Sequence, residues 1–574
     1  MEKKDIFQDV KALTIRLTKA ESVTDSAGEK AFPGFLHSIL SEIPYFKANP
    51  GNIVLRKIEN DPKDRSNLFA LVEGSGNTCV LLTGHYDVVQ TSIYGPLEPW
   101  AFDPEVLAEK IVGRPLGPGS EEEALRALRN DLASGEFLPG RGVLDMKSGL
   151  AAGISVLSGF SRKEERRGNL LFFAVADEEG SSRGMRAAAA CLPKFLESRG
   201  LRPRLVINLD AAVDQGSGEQ GRAVFTGSVG KALPFAYFIG RCTHAGAPFD
   251  GINPALMASE FAREIECNPE ALPEKRGAAE AGGVQGGAEA APGSSSEPGE
   301  APSPPTILYF REAREGYDVT TPQAFFCALN VLTHTMSPEV IVESLMEMAR
   351  GAINRSLAIL RKRASTFVRP VPGRFSIPEA APSVVGFEEF ARRAELASPG
   401  ILESSRDLAA ARHPDDRVRQ SLVVLQALLP FAGIEGPAAV IGFAPPYYPR
   451  AEFDQEKNAD FMNILRGVIA DFSKETGESL RLRPYFPGIS DMSFLSFSDS
   501  PAQRGYVKNM SPVPDPTPGP TETGLAPIGC PVINLGPWGR EYHQLGERVH
   551  MEYSFKQMPV LLSKLLTAVL GTKE

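Results

Sequence analysis

The chain is short of cysteine, of long apolar runs and of positive charge. Its six cysteines (Cys79, Cys191, Cys242, Cys267, Cys327 and Cys530) stand singly, with no CxxC pair. That excludes a zinc finger or a disulfide framework. Lys and Arg number 61 against 71 Asp and Glu, a formal charge of −10. An acidic balance argues against a nucleic-acid partner held through phosphates. The longest apolar stretch considered, Leu422 to Ile434, is broken by Gln426 and Pro430 and falls short of the ~18 residues that suggest a membrane span. The opening residues, MEKKDIFQDVKALTIRLTKAESV, alternate charged and apolar positions without an apolar signal core and read as an amphipathic helix. The expectation is a cytoplasmic globular protein with neither nucleic acid nor membrane as partner.

What is present is a 42% hydrophobic content over 574 residues, enough for two to four domains at about 150 residues each. Compact apolar runs at Leu68 to Val72, Cys79 to Thr83, Leu170 to Ala176 and Leu205 to Leu209 alternate with helical patterns at Lys147 to Phe160 and Ser182 to Glu197. Strand–helix alternation implies an α/β fold with a mostly parallel sheet. In such sheets ligands gather beyond the carboxyl ends of the strands. The segment Ala271 to Pro305 is Gly, Ala, Glu, Ser and Pro with only Leu272 and Val284 as large aliphatics, and reads as a disordered insertion. Ser511 to Pro527 is Pro-rich and reads as a long surface loop.

Polar residues follow several of the apolar runs. Leu81 to Val89 stops at Gly84 and then shows His85 and Asp87, two positions that share a strand face. Gly140 to Gly149 is a Gly-rich turn that delivers Asp145 ahead of a helix. Asp177, Glu178 and Glu179 succeed one another at the end of an apolar strand, a costly juxtaposition unless a cation or solvent relieves it. Val206 to Asp210 again ends in a carboxylate, and far downstream lie His543, Glu547 and His550. Each piece has a bland alternative: a surface His with a turn Asp, an Asp N-cap, or an acidic loop facing water. Together they supply histidines and carboxylates of the kind that suits zinc, manganese or cobalt.

The order HYDVV, GRGVLDMKSG, DEEGSSRG, NLD, THAGAPFDGINP and GPWGREYH resembles the aminoacylase / glutamate carboxypeptidase / dipeptidase superfamily of cocatalytic-zinc metallopeptidases. The variants VINLD, GSVGK and ISDMSF are most similar to its RocB-like subgroup of bacterial arginine-utilisation proteins. The resemblance implies a zinc-peptidase-like catalytic α/β domain with a mixed, mostly parallel sheet, plus a smaller inserted α/β lid of the dimerisation type. The expected domains are 1–220, 221–372 and 373–574, the last boundary placed by the Pro-rich RPVPGRF.

It also implies two divalent cations, zinc first, with manganese or cobalt as alternatives. Asp145 would bridge them, His85 and Asp210 would complete one, and Glu179 and His543 the other. Glu178 would be the general base, and Asp87 would hold the His85 ring. A cis peptide is expected at Asp145–Met146. His244 would reach a neighbour's active site in a homodimer built through the inserted domain, steadying the developing oxyanion. Glu547 and His550 would sit behind the C-terminal ligand, and Asp491 is left open. His37, His334 and His413 match no motif and read as structural or surface residues.

Two departures stand out. Phe325 to Asn330 lacks the Asp-x-Arg usual in the small domain, and Asp210, with Asp214 nearby, stands where Glu is common. The function implied is hydrolysis of an amide or peptide bond in a small N-acyl amino acid or short peptide, with arginine catabolism as the setting. The rivals are a non-catalytic metal-stabilised binding protein and a hydrolase of carbamoyl or amidine groups.

Overall fold

The computed structural model describes residues 5–113, 120–213, 222–272, 303–314, 316–367, 382–515 and 527–571. In chain order the first strands are β1 (Ile53–Lys57), β2 (Ser66–Val72), β3 (Ser75–His85), β4 (Phe137–Pro139), β5 (Arg167–Val175), β6 (Arg202–Asn208), β7 (Ala212–Val213) and β8 (Ala223–Phe225). Next come β9 (Gly230–Ile239), β10 (Thr306–Glu312), β11 (Ala324–Thr333), β12 (Ser383–Gly386) and β13 (Ala438–Tyr448). The last are β14 (Arg481–Arg483), β15 (Val532–Asn534), β16 (Trp538–Arg540) and β17 (Arg548–His550).

The chain forms two units. The first comprises Met1–Ser228, Ala451–Phe497 and Thr517–Glu574; the second comprises Val229–Arg450 and Ser498–Pro516. The first unit is built on an eight-stranded sheet in the order β1-β2-β5-β3-β6-β15-β8-β14. Its central strands β5, β3, β6 and β15 run parallel, while β2 pairs antiparallel with β1 and β5. Parallel central strands are covered on both faces and so carry near-continuous apolar runs, as Leu170–Val175 and Cys79–Leu82 do, all buried. The helix Ser148–Ser161 packs closely because Gly149 lies against strand-end backbone: a Cβ there would collide with the Leu209 carbonyl oxygen. A four-stranded sheet, β4-β17-β16-β7, completes the unit.

The second unit has a five-stranded sheet in the order β10-β11-β9-β13-β12, antiparallel except for β12 and β13. Alternation along β9 feeds two cores. Ala236 and Phe238 join helices Pro254–Ile265 and Pro338–Thr366. Phe235, Tyr237 and Ile239 join helices Phe387–Ala397 and Arg417–Leu428.

This second core corrects the expected boundary at 373. The chain stays in the second unit until Arg450, because β13 pairs with β9 along most of its length and Phe387, Phe390 and Leu422 to Leu428 bury against that sheet. RPVPGRF itself, most of the 271–305 insertion, Asp214 and residues 516–526 lie outside the described residues. Among the described residues, the one helical stretch long and apolar enough to cross a membrane is Val143–Ser161, not 422–434. It is a core helix, 83% buried.

The expected strands and helices of the first 210 residues are present to within a few residues at each end. The N-terminal helix is present as Asp5–Lys19.

Candidate metal centre

Three parallel strands deliver the cluster. His85 is the last residue of β3, Glu178 and Glu179 follow the end of β5, and Asp210 follows the end of β6. Parallel direction places all three ends on one edge of the sheet. Asp145 arrives on the turn after β4, and His543 on the loop after β16. Gly536 permits that last approach, since a Cβ there would run into the Asp210 carbonyl oxygen.

The Asp145 carboxylate sits between the two histidines. Its Oδ1 lies 2.9 Å from His85 Nε2 and its Oδ2 lies 3.2 Å from His543 Nε2. Asp210 Oδ1 is 3.8 Å from the same His85 nitrogen, and Glu179 Oε1 is 2.9 Å from His543 Nε2. Ligand-capable atoms of His85, Asp145 and Asp210 fall within 4.8 Å of one another, as do those of Asp145, Glu179 and His543, and of His85, Glu178 and Glu179. The peptide Asp145–Met146 is cis.

Asp87 meets both the His85 ring and the turn that follows β5. The His85 ring is held through Nδ1 by the carbonyl oxygen of Asp87, at 3.0 Å, while the Asp87 carboxylate lies 3.6 Å away. That carboxylate also accepts from the backbone N–H of Glu178 (3.1 Å) and Glu179 (3.2 Å) and from the Thr24 hydroxyl (3.0 Å). A proton on Nδ1 leaves Nε2 free to act as a ligand.

The electrostatics are those of a cation site. Burial alone would lower both histidines, yet the facing carboxylates raise His85 well above its usual value and His543 to about 10. Burial pushes Glu179 up to about 7, helped by Asp145 and opposed by His543. Burial raises Glu178 and Asp210 as well, each opposed by His85. Asp145, by contrast, is held well below the carboxylate range: burial acts against it, but hydrogen bonds from His543 and His85 outweigh burial.

Each histidine nitrogen thus faces carboxylate oxygens, an arrangement satisfied either by an extra proton on each ring or by a cation between nitrogen and oxygen. The donor set, imidazole and carboxylate with one carboxylate shared, fits two divalent cations of the zinc, manganese or cobalt type.

Other sequence candidates are sorted by position. Asp491 is buried in the first unit near enough to feel Asp210 and Asp87; burial carries its carboxyl to about 8, with His85 pulling it down. Glu547 is buried behind Asp145, where it pairs with Arg141 and accepts from the backbone N–H of Gly142 (2.8 Å) and Leu144 (3.3 Å). His550 stands apart, its ring 5.1 Å from Phe137 and 4.9 Å from Trp538. His244 lies exposed in the second unit, its Nδ1 accepting from the Gly246 N–H at 3.0 Å. His37, His334 and His413 belong to none of the three metal-capable groups found among the described residues.

Sequence reasoning missed Arg65, which gathers Glu29, Asp61 and Asp177 around its guanidinium. The only signal was Asp177 itself, the first of three carboxylates at a strand end.

The sequence profile described as peptidase family M20/M25/M40 matches residues 81–509, well over half the chain. The chain belongs to this family. The metallopeptidase reading and its zinc-peptidase-like fold stand on that membership. The uncharacterized protein YqjN of Bacillus subtilis is 31% identical over 98% of this chain and 96% of its own length. Protein RocB of the same organism is 28% identical over 97% of this chain and 94% of its own. Among solved structures, a tripeptidase from Staphylococcus aureus shares the fold with a TM-score of 0.50 at 14% identity, covering 99% of each chain. An M20 family metallo-carboxypeptidase from Sulfolobus solfataricus has a TM-score of 0.50 at 11% identity, over 98% of this chain and all of its own.

Proposed function

We propose that this M20 family member is a cytoplasmic hydrolase of an amide or peptide bond in a small N-acyl amino acid or short peptide. The observation that carries the reading is the shared Asp145 carboxylate, one oxygen toward His85 and the other toward His543. In this proposal His85 and Asp210 hold one cation, Glu179 and His543 the other, and Asp145 both, with zinc first and manganese or cobalt as alternatives. When bound, two such cations polarise a scissile carbonyl and lower the pKa of a water toward about 7 from 15.7 in bulk.

Glu178 takes the proton that the attacking water gives up and passes it to the leaving amine. Burial beside Glu179, Asp491 and Asp210 raises the affinity of Glu178 for that proton, which suits a group that must both accept and release it. Asp87 serves this step by holding the backbone N–H groups of Glu178 and Glu179. A homodimer through the second unit, with the partner subunit's His244 steadying the oxyanion, belongs to the same proposal. The likeness to the arginine-utilisation subgroup puts arginine derivatives among the first substrates to try.

The test is to incubate metal-loaded protein with a pool of N-acyl amino acids and short peptides, arginine derivatives included, and follow each by mass spectrometry. Glu178→Ala runs in parallel. Loss of one compound with wild type only, yielding a free carboxylate and an amine, supports the proposal. Release of ammonia or carbon dioxide would move the chemistry to a carbamoyl or amidine group, and no loss at all would count against catalysis.

A further inference from the structure

The turn bearing Glu178 and Glu179 is gripped from two sides. On one side is the Asp87 carboxylate, which takes both N–H groups. On the other is a group of buried charges centred on Arg65, whose side chain is 1% exposed. Arg65 Nη1 lies 2.8 Å from Asp177 Oδ1 and 3.1 Å from Glu29 Oε2, and Nη2 lies 2.9 Å from Asp61 Oδ1. The side chains of Glu29 and Asp61 are fully buried.

Asp177 is the link between this group and the turn. Its φ is +63°, a left-handed conformation that a non-glycine residue keeps only when its surroundings fix it. Those surroundings are explicit. The Asp177 N–H donates to Glu29 Oε1 at 2.9 Å, its carbonyl accepts from Ser182 at 2.6 Å and Ser181 at 3.2 Å, and its Oδ2 accepts from the Arg183 N–H at 3.3 Å. Glu178 and Glu179 are the next two residues of the same turn.

One buried guanidinium among four carboxylates, the more exposed Asp25 included, with Arg183 also near Asp177 and Asp61, is a poor way to gain stability, since apolar residues of similar size commonly do as well or better. What a guanidinium supplies is a planar fork that fixes several oxygens at set angles. Here those oxygens fix the residue immediately before the base and the ligand. We infer that Arg65 is a positioning residue: through Asp177 and Glu29 it sets the turn that presents Glu178 and Glu179. The inference rests on the dinuclear reading above. It makes a selective demand, because Glu179 serves the cation shared with His543, whereas His85 and Asp210 lie on other strand ends and do not depend on Arg65. Partners standing behind metal ligands typically change affinity about 10–100-fold when removed.

The experiment is a titration of chelator-treated full-length protein with Co²⁺, following heat and visible absorption, for wild type, Arg65→Met and Arg65→Lys. Circular dichroism establishes that each variant is folded. Wild type binding two cations, with Arg65→Met retaining one unchanged and weakening the other about 10–100-fold, is the expected result, and Arg65→Lys falls between. If Arg65→Met does not fold, Asp177→Asn replaces it, since Asn tolerates the left-handed backbone, and the same selective weakening is expected. A folded variant that binds both cations like wild type overturns the inference. So does one that weakens both equally, which would make the cluster a support of the fold alone. Wild type binding fewer than two cations would overturn the dinuclear reading itself, a result obtained before any variant is considered.

Discussion

Substituting Glu547 probes how the bridging carboxylate is held. Its side chain and that of Arg141 are each 1% exposed and pair directly, and Glu547 also accepts from the N–H groups of Gly142 and Leu144, which flank Val143 just before Asp145. Glu547→Met leaves the Arg141 guanidinium buried without this partner, a loss of about 3–5 kcal/mol. Arg141→Met strands the carboxylate in the same way and costs a similar amount. The double variant Arg141→Met/Glu547→Met removes both charges, and apolar replacement of a buried pair is close to neutral. Three backbone N–H groups, those of Gly142, Leu144 and Asp145, still lose their acceptor, at roughly 1–3 kcal/mol each if they stay unsatisfied.

Urea unfolding of the metal-free chain, chosen so that ligand binding does not add to the stability, should therefore show two strongly destabilised single variants. The double should be clearly less destabilised than the sum, with a coupling of at least about 2 kcal/mol. Its cation affinity should remain impaired, because the turn delivering Asp145 has lost its anchor. Single variants within about 1 kcal/mol of wild type, or strict additivity, would refute this account of the Arg141–Glu547 pair.

Glu178→Ala should abolish turnover while both cations still bind; near-normal turnover would remove Glu178 from the role of base. His85→Ala and His543→Ala should each lower metal content measured by atomic emission, and full content in both would refute the ligand set. The metal-free chain should lose stability with rising pH on the alkaline side. His543 has its affinity for a proton raised by Asp145 and Glu179, to about 10 from 6.5, so its contribution is complete below about 6.5 and fades as pH climbs through about 10. Thermal melts across that window check it, and a midpoint that rises with pH would contradict the assignment. Cation loading should release protons from these rings, readable as a buffer-dependent heat of binding.

Much of the candidate site was legible because its polar residues sit where apolar strands stop. His85, Glu178, Glu179 and Asp210 each follow a run of buried residues, and a parallel sheet brings such ends together without further information. Asp145 on its Gly-rich turn and the distant His543 were visible as candidates, but only motif likeness joined them to the others, as neither follows a strand of the main sheet directly.

What escaped depends on contacts between distant segments. The return of the chain to the first unit at Ala451 is set by pairing of β13 with β9, which local composition near RPVPGRF could not reveal. Arg65 meets Asp177 across 112 positions of sequence, and nothing about either neighbourhood announces the other. The sequence placed Asp87 beside His85, but not its second set of contacts, in which the carboxylate takes the backbone N–H groups of Glu178 and Glu179. His550 follows His543 closely in sequence yet lies on β17, edge-on to Phe137 and tilted against Trp538.

The most direct test of the central claim is anomalous diffraction at the zinc edge from crystals of the zinc-loaded chain. Two peaks flanking the Asp145 carboxylate are predicted, one in reach of His85 and Asp210 and the other in reach of Glu179 and His543. A single peak there, or peaks only elsewhere, would contradict a centre bridged by Asp145.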